Sequence, residues 1–128
     1  MPVLTPSDDI AAVRSGLHGD AAQLVACLCA AWCTSCREFE PAFETLAERH
    51  PQAVFLWIDI EDHGELVDGI DVDNFPTIVI QRGSAVQFAG AMPPRTAQIE
   101  RLMLELQRDA GRPGLADAVD LRARLLQA

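Results

Sequence analysis

Lysine is absent from this 128-residue sequence: all ten basic residues are arginine, set against nineteen acids, for a formal net charge of −9. A chain so acidic repels polyphosphate and anionic lipid, which excludes charge-driven binding to nucleic acid or a membrane surface. The first residues, Met1-Pro2-Val3-Leu4-Thr5-Pro6-Ser7-Asp8-Asp9, lack both a basic n-region and an apolar h-region and do not read as a secretory signal. The longest stretch without charge, between Asp20 and Arg37, is broken by Gln, four Cys, Thr and Ser, and reads as strand-turn-helix rather than as a membrane span. A cytoplasmic location is the expectation. Cysteine is missing everywhere except the ten residues holding Cys27, Cys29, Cys33 and Cys36. Secreted frameworks spread their cysteines to close loops, so this clustering points to chemistry instead.

What is present suits one compact core: 49% hydrophobic residues, 23% charged, and eight each of Gly and Pro. A single domain over 1–128 is therefore expected. Ser7 is positioned as an N-cap, and Ile10, Val13 and Leu17 recur at helical spacing, predicting a helix over roughly residues 8 to 17 that ends at Gly19-Asp20. Leu24 to Ala30 is a short apolar run suited to a central strand covered on both faces. Phe39, Ala42, Phe43, Leu46 and Ala47 form the stripe of an amphipathic helix over Thr34 to Arg49, with Pro41 expected to kink it. Ala53 to Ile60 is a second buried strand, with a short polar helix near His63 to Gly69. Thr77–Gln81 and Ala85–Ala89 flank Arg82-Gly83-Ser84 and predict an antiparallel hairpin. Ile99, Leu102, Met103 and Leu106 mark a helix ended by Gly111-Arg112-Pro113-Gly114, and Ala118, Leu121 and Leu125, with Asp120 four before Arg124, mark a last one. This order belongs to the α/β class, with a mixed sheet layered by helices.

Trp32-Cys33-Thr34-Ser35-Cys36 falls where the first strand hands over to the long helix. A thiol at a helix N-terminus faces unpaired amides and the positive end of the helix dipole, which favour its thiolate. Cys33 holds that position, Cys36 lies nearly one turn further on the same side, and Arg37 adds positive charge.

These residues, with Ala30-Ala31 before them, Pro41 five after Cys36, the strand Leu56-Trp57-Ile58-Asp59, Phe75-Pro76-Thr77 and Gly90, resemble the thioredoxin family over roughly residues 3 to 110. The resemblance implies the thioredoxin fold, a central mixed β-sheet flanked by helices; the last amphipathic segment, over about 115–127, lies beyond it as a C-terminal helical extension. The resemblance further implies that Cys33 is the attacking thiolate, Cys36 the resolving thiol, and Cys33-Cys36 the redox-active disulfide, with no metal or organic cofactor. Pro76 becomes a cis-proline facing the motif. Trp32, Thr34, Ser35, Phe75, Pro76 and Thr77 become the substrate-binding surface, and Cys27 and Arg37 support it. The implied partners are disulfide-containing client proteins and a thioredoxin-reductase-like flavoprotein, with the protein acting as a monomer.

The sequence also departs from the family. Where a buried carboxylate is usual, six residues before the first motif cysteine, stands Cys27; Thr34-Ser35 replaces the usual Gly-Pro; and the lysine that accompanies the acid has no counterpart. Competing readings follow from the residues themselves. Four cysteines can build a zinc or iron-sulfur site. Cys27 and Cys29 can be buried apolar thiols, set too far apart along a strand, at about 7 Å between Cα atoms, to bond to each other easily. Trp57 reads as core, whereas Trp32, directly before Cys33, reads as a docking aromatic. His18, His50 and His63 show no ligand or catalytic spacing and read as solvated or helix-end residues. The seven acids from Asp59 to Asp73 form either a solvated face or a selector for basic partners. The expected function is a protein-disulfide oxidoreductase; the alternative is a non-enzymatic thioredoxin-like assembly chaperone or adaptor, favoured by the missing acid and opposed by the retained cysteines, Trp32 and Pro76.

Overall fold

The computed structural model describes residues 3–19, 21–109, 111 and 113–128. Met1, Pro2, Asp20 and Arg112, on which parts of the terminal and turn readings rest, lie outside them. The strand β1 (Gln23–Cys29) is buried at every position, as its uninterrupted apolar run requires. It pairs in parallel with β2 (Val54–Asp59) and antiparallel with β3 (Thr77–Arg82), which continues through a tight turn into antiparallel β4 (Ala85–Ala91). Gly83 makes that turn with φ of 56°, a backbone state that glycine reaches without Cβ strain. The sheet order is β2-β1-β3-β4, mixed as expected.

Two-residue periodicity divides the core. Leu24, Ala26 and Leu28 face one side, where they meet Val13 and Leu17 of α1 (Ile10–Leu17) and Leu121 and Leu125 of α5 (Leu121–Gln127). Val25, Cys27 and Cys29 face the other side, under Cys36, Phe39 and Phe43 of α2 (Thr34–Arg49) and Ile99 and Met103 of α4 (Thr96–Arg108). A short α3 (Gly64–Val67) follows β2. Among the described residues no helix is long and apolar enough to cross a membrane.

Several boundaries differ from those the sequence suggests. Ser7 does not cap α1: Asp9 stands at the N-cap without a side-chain cap bond, and its Oδ2 instead accepts from the Thr5 amide at 3.0 Å. The α2 helix keeps the expected bounds, with Pro41 inside it. The last helix starts at Leu121, not near 115, because the Asp120 carboxylate accepts from the Ala123 amide at 3.0 Å and so fixes the first turn there. Arg124 donates to the carbonyls of Leu66 and Asp68, which anchors α5 to α3, rather than pairing along its own helix.

Candidate functional site

The end of β1, the loop Ala30 to Trp32 and the start of α2 bring the cysteines together. Cys33 is the N-cap of α2, in extended conformation, and its carbonyl accepts from the Arg37 amide at 3.2 Å. It is a free thiol and partly exposed. Trp32 beside it is 65% exposed, and its ring meets Phe75 edge to face with centroids 5.6 Å apart. Thr34 and Ser35 are exposed on the first turn, and Arg37 is exposed one turn above Cys33. The Phe75-Pro76 bond is cis. Phe75 is half-buried, whereas Pro76 and Thr77 are buried, with the Pro76 carbonyl accepting from the Met92 amide at 3.2 Å and the Thr77 hydroxyl donating to the Asn74 carbonyl at 2.7 Å.

The expected Cys33-Cys36 bridge is not the one formed. Cys36 is bonded to Cys29, across Cα atoms 5.9 Å apart, a separation that a bridge spans readily. The reason lies in the faces: position 36 of α2 points down onto the odd-numbered face of β1, where Cys29 is fully buried, while Cys33 caps the helix toward solvent. Cys29 is therefore not a bystander thiol. Cys27 is a free thiol on the same face, its Sγ 3.7 Å from that of Cys29 and not bonded to it. Burial, and secondarily the charge of Glu40, push the Cys27 thiol far above its ordinary pKa, so it stays protonated. No group of three or more His, Cys, Asp or Glu able to hold a metal occurs among the described residues.

Two features escaped the sequence reading. The Asp59 carboxylate, at the end of β2, accepts from the Ala31 amide at 3.0 Å and from the Glu61 amide at 2.9 Å, and so ties the loop before Cys33 to the strand beside it. The other acids of the 59 to 73 segment are exposed. Beside the site, Ala31, Arg37, Glu40, Trp57, Asp59 and His63 help line a cavity of about 300 Å³. Trp57 is thus only half-buried, packed 6.0 Å from Phe43 on one side and open to this cavity on the other. His63 binds the Ser7 hydroxyl through Nε2 at 2.7 Å, and His50 is buried at the C-terminus of α2 with Nε2 2.6 Å from Glu100; His18 is exposed. An acid closing an apolar strand was the only sequence signal for Asp59.

Residues 12–104 match the thioredoxin family model. Thioredoxin H2-2 of Oryza sativa is 41% identical over 54 residues, covering 42% of this chain and 40% of that one. A thioredoxin of Ophiophagus hannah is 28% identical over 86 residues, covering 65% and 82%. The crystal structure of the germline-specific thioredoxin Deadhead of Drosophila melanogaster superposes with a TM-score of 0.67 at 26% identity, covering 83% of this chain and 98% of that one. The chain spans about half or less of the length of the first curated relatives it matches. With a mixed sheet, a cysteine cluster at the β1-α2 junction and a family match across most of its length, the chain belongs to the thioredoxin family.

Proposed function

We propose that the protein is a protein-disulfide oxidoreductase that uses Cys33 as nucleophile and Cys36 as resolving thiol. The observation that carries this reading is the contrast between the two sulfurs. Cys33 stands partly exposed at the N-terminus of a 16-residue helix beside the open Trp32-Phe75 pair, and Cys36 lies beneath it at 1% exposure. Helix amides and dipole favour the Cys33 thiolate. In the reduced protein that thiolate attacks a client disulfide, one client sulfur leaves as thiolate, and Cys36 then displaces the second from Cys33. Trp32, Thr34, Ser35 and Phe75 form the docking surface, with the buried Pro76 and Thr77 supporting it from beneath, and Arg37 adds positive charge above the nucleophile. A thioredoxin-reductase-like flavoprotein restores the dithiol, and no other cofactor takes part. The same reading makes residues 3–110 the catalytic core with 115–127 as its extension, working as a cytoplasmic monomer.

One observation favours the adaptor alternative: Cys36 is bonded away from Cys33. Insulin reduction with dithiothreitol decides between them. Turnover that disappears in Cys33→Ser supports the oxidoreductase, as does accumulation of client adducts in Cys36→Ser. Insulin reduced no faster than by dithiothreitol alone assigns the chain to the adaptor class.

A further inference from the structure

Within that proposed reaction, one cysteine has no role and yet holds the disulfide. Cys29 is fully buried on β1 and bonded to Cys36, the sulfur that the exchange reaction also assigns to Cys33. Cys36 lies three residues after Cys33, the N-cap of α2, and directly over Cys29 on the sheet, so a single sulfur is shared between an outer and an inner partner. We infer that Cys29 is a third catalytic cysteine, a second resolving thiol that draws the disulfide inward from Cys33-Cys36 to Cys29-Cys36 and frees Cys33.

The step balances without an outside reagent. The Cys29 sulfur attacks Cys36 Sγ, the Cys33-Cys36 bond breaks as Cys29-Cys36 forms, and the Cys33 thiolate leaves. Two electrons have passed to the client disulfide, and the oxidised pair is now Cys29 and Cys36. Cys29 gives up its proton to solvent as it attacks, and Cys33 departs as the thiolate that the helix amides and dipole favour. Cys27 does not compete for the bridge: its thiol is held protonated by burial and by the charge of Glu40, and at 3.7 Å it is placed to donate to the Cys29 sulfur rather than to attack it. The consequence for activity is that the oxidised protein keeps an open nucleophile at the docking surface, competent to form a mixed disulfide with a second client while its first pair of oxidising equivalents is stored in the core.

This inference rests on the Cys33-Cys36 exchange proposed above, and its test separates the two. The fully reduced protein is oxidised with limiting diamide, quenched in acid at a series of times, alkylated with N-ethylmaleimide, and cleaved with chymotrypsin after Leu28, Trp32 and Phe39. That cleavage places Cys27, Cys29 and the Cys33/Cys36 pair on three peptides. The expected early product has the disulfide within the Cys33–Phe39 peptide; the expected final product links the Cys29–Trp32 peptide to the Cys33–Phe39 peptide, with the alkyl group on Cys33. In Cys33→Ser, formation of the Cys29-Cys36 bridge is expected to be lost over the same times, and in Cys29→Ser the oxidised protein is expected to lose all Cys33 labelling. A bridge that stays within Cys33–Phe39, one that joins Cys27 to Cys29, or a Cys29-Cys36 bridge that forms as fast without Cys33 overturns the relay. Insulin reduction by the wild-type protein is measured in parallel, so a failed oxidoreductase reading shows as absent turnover and a failed relay as the wrong peptide linkage.

Discussion

Replacing Cys27 with aspartate restores a carboxyl at the position where thioredoxins carry one, and the surroundings set what it costs. The site is fully buried, with the Cys29 sulfur at 3.7 Å and the charge of Glu40 within electrostatic reach. Both burial and that like charge disfavour an ionised carboxyl, so its folded-state pKa rises above the unfolded value of about 3.9. The sign follows. At low pH the carboxyl is protonated in both states and this contribution vanishes; as pH rises past about 4 the unfolded chain ionises first, and stability falls by about 1.4 kcal/mol per pH unit until the folded pKa is reached. An elevation of about 3 pH units, at the lower end for fully buried groups, amounts to about 4 kcal/mol at neutral pH, a large share of the ~5–15 kcal/mol that holds a domain folded. Urea unfolding of both reduced proteins at several pH values from 4 to 8 measures it. Single-turnover reduction of a model disulfide should move the other way: once ionised, the new carboxylate accepts the Cys36 proton that a protonated Cys27 thiol cannot, and resolution speeds up. A stability difference independent of pH, or turnover that is equal or slower above neutral pH, would refute the placement of Cys27 beneath the site.

Three further outcomes are expected. Trp32→Ala, at a 65% exposed position, should slow reduction of protein disulfides while changing stability by no more than about 0.5 kcal/mol in urea unfolding; equal loss against a small-molecule disulfide would argue against docking. Asp59→Ala removes the acceptor for the Ala31 and Glu61 amides and should cost about 1–3 kcal/mol while altering the rate of iodoacetamide labelling at Cys33; an unchanged labelling rate would show that the tie does not position the loop. Glu100, whose carboxyl is held below its ordinary pKa chiefly by the His50 hydrogen bond and also by Arg49, contributes stability that is present above the ordinary glutamate range and lost as pH falls through its lowered folded value; Glu100→Gln should flatten the acid limb of the stability profile, read by thermal unfolding from pH 3 to 7.

The parts of this molecule that could be read from the sequence are those written in neighbouring residues. The run from Leu24 announces a strand buried on both faces, and β1 is buried at every position; the Phe39, Phe43, Leu46 stripe announces α2, and those residues lie over the sheet. The junction that holds Cys33 follows from the same local patterns. The antiparallel pairing of β3 with β4 was legible from the short turn between them, but side-chain pairings between distant elements were not. Whether Cys36 meets Cys33 or Cys29 depends on which face of β1 the helix covers, and a one-residue shift of register would have turned Cys29 to the α1 side. Asp59 sits in an acidic run and looks solvated until β1 places the Ala31 amide beside it. Ser7 has the composition of an N-cap, but its hydroxyl is taken by His63, 56 residues away. Such bonds are set by tertiary approach, which short-range periodicity does not encode.

The last helix carries a consequence for the order in which the chain acquires its structure. Arg122 donates twice to the Leu17 carbonyl, 105 residues earlier, and its amide donates to the Gln81 side chain, which also reaches Asp120. Leu121 and Leu125 complete the apolar layer over α1 and β1. Contacts of such long sequence separation form late, after the loop-closure entropy has been met by other elements. On the ribosome, synthesised from the N-terminus, the layer holding Val13, Leu17 and Leu24 stays uncovered until residues 121–127 have emerged. The opposite layer, which carries all three of the buried cysteines, needs nothing beyond α4. The redox face can therefore be assembled, and meet its first oxidant, while the other face of the same sheet still awaits its cover.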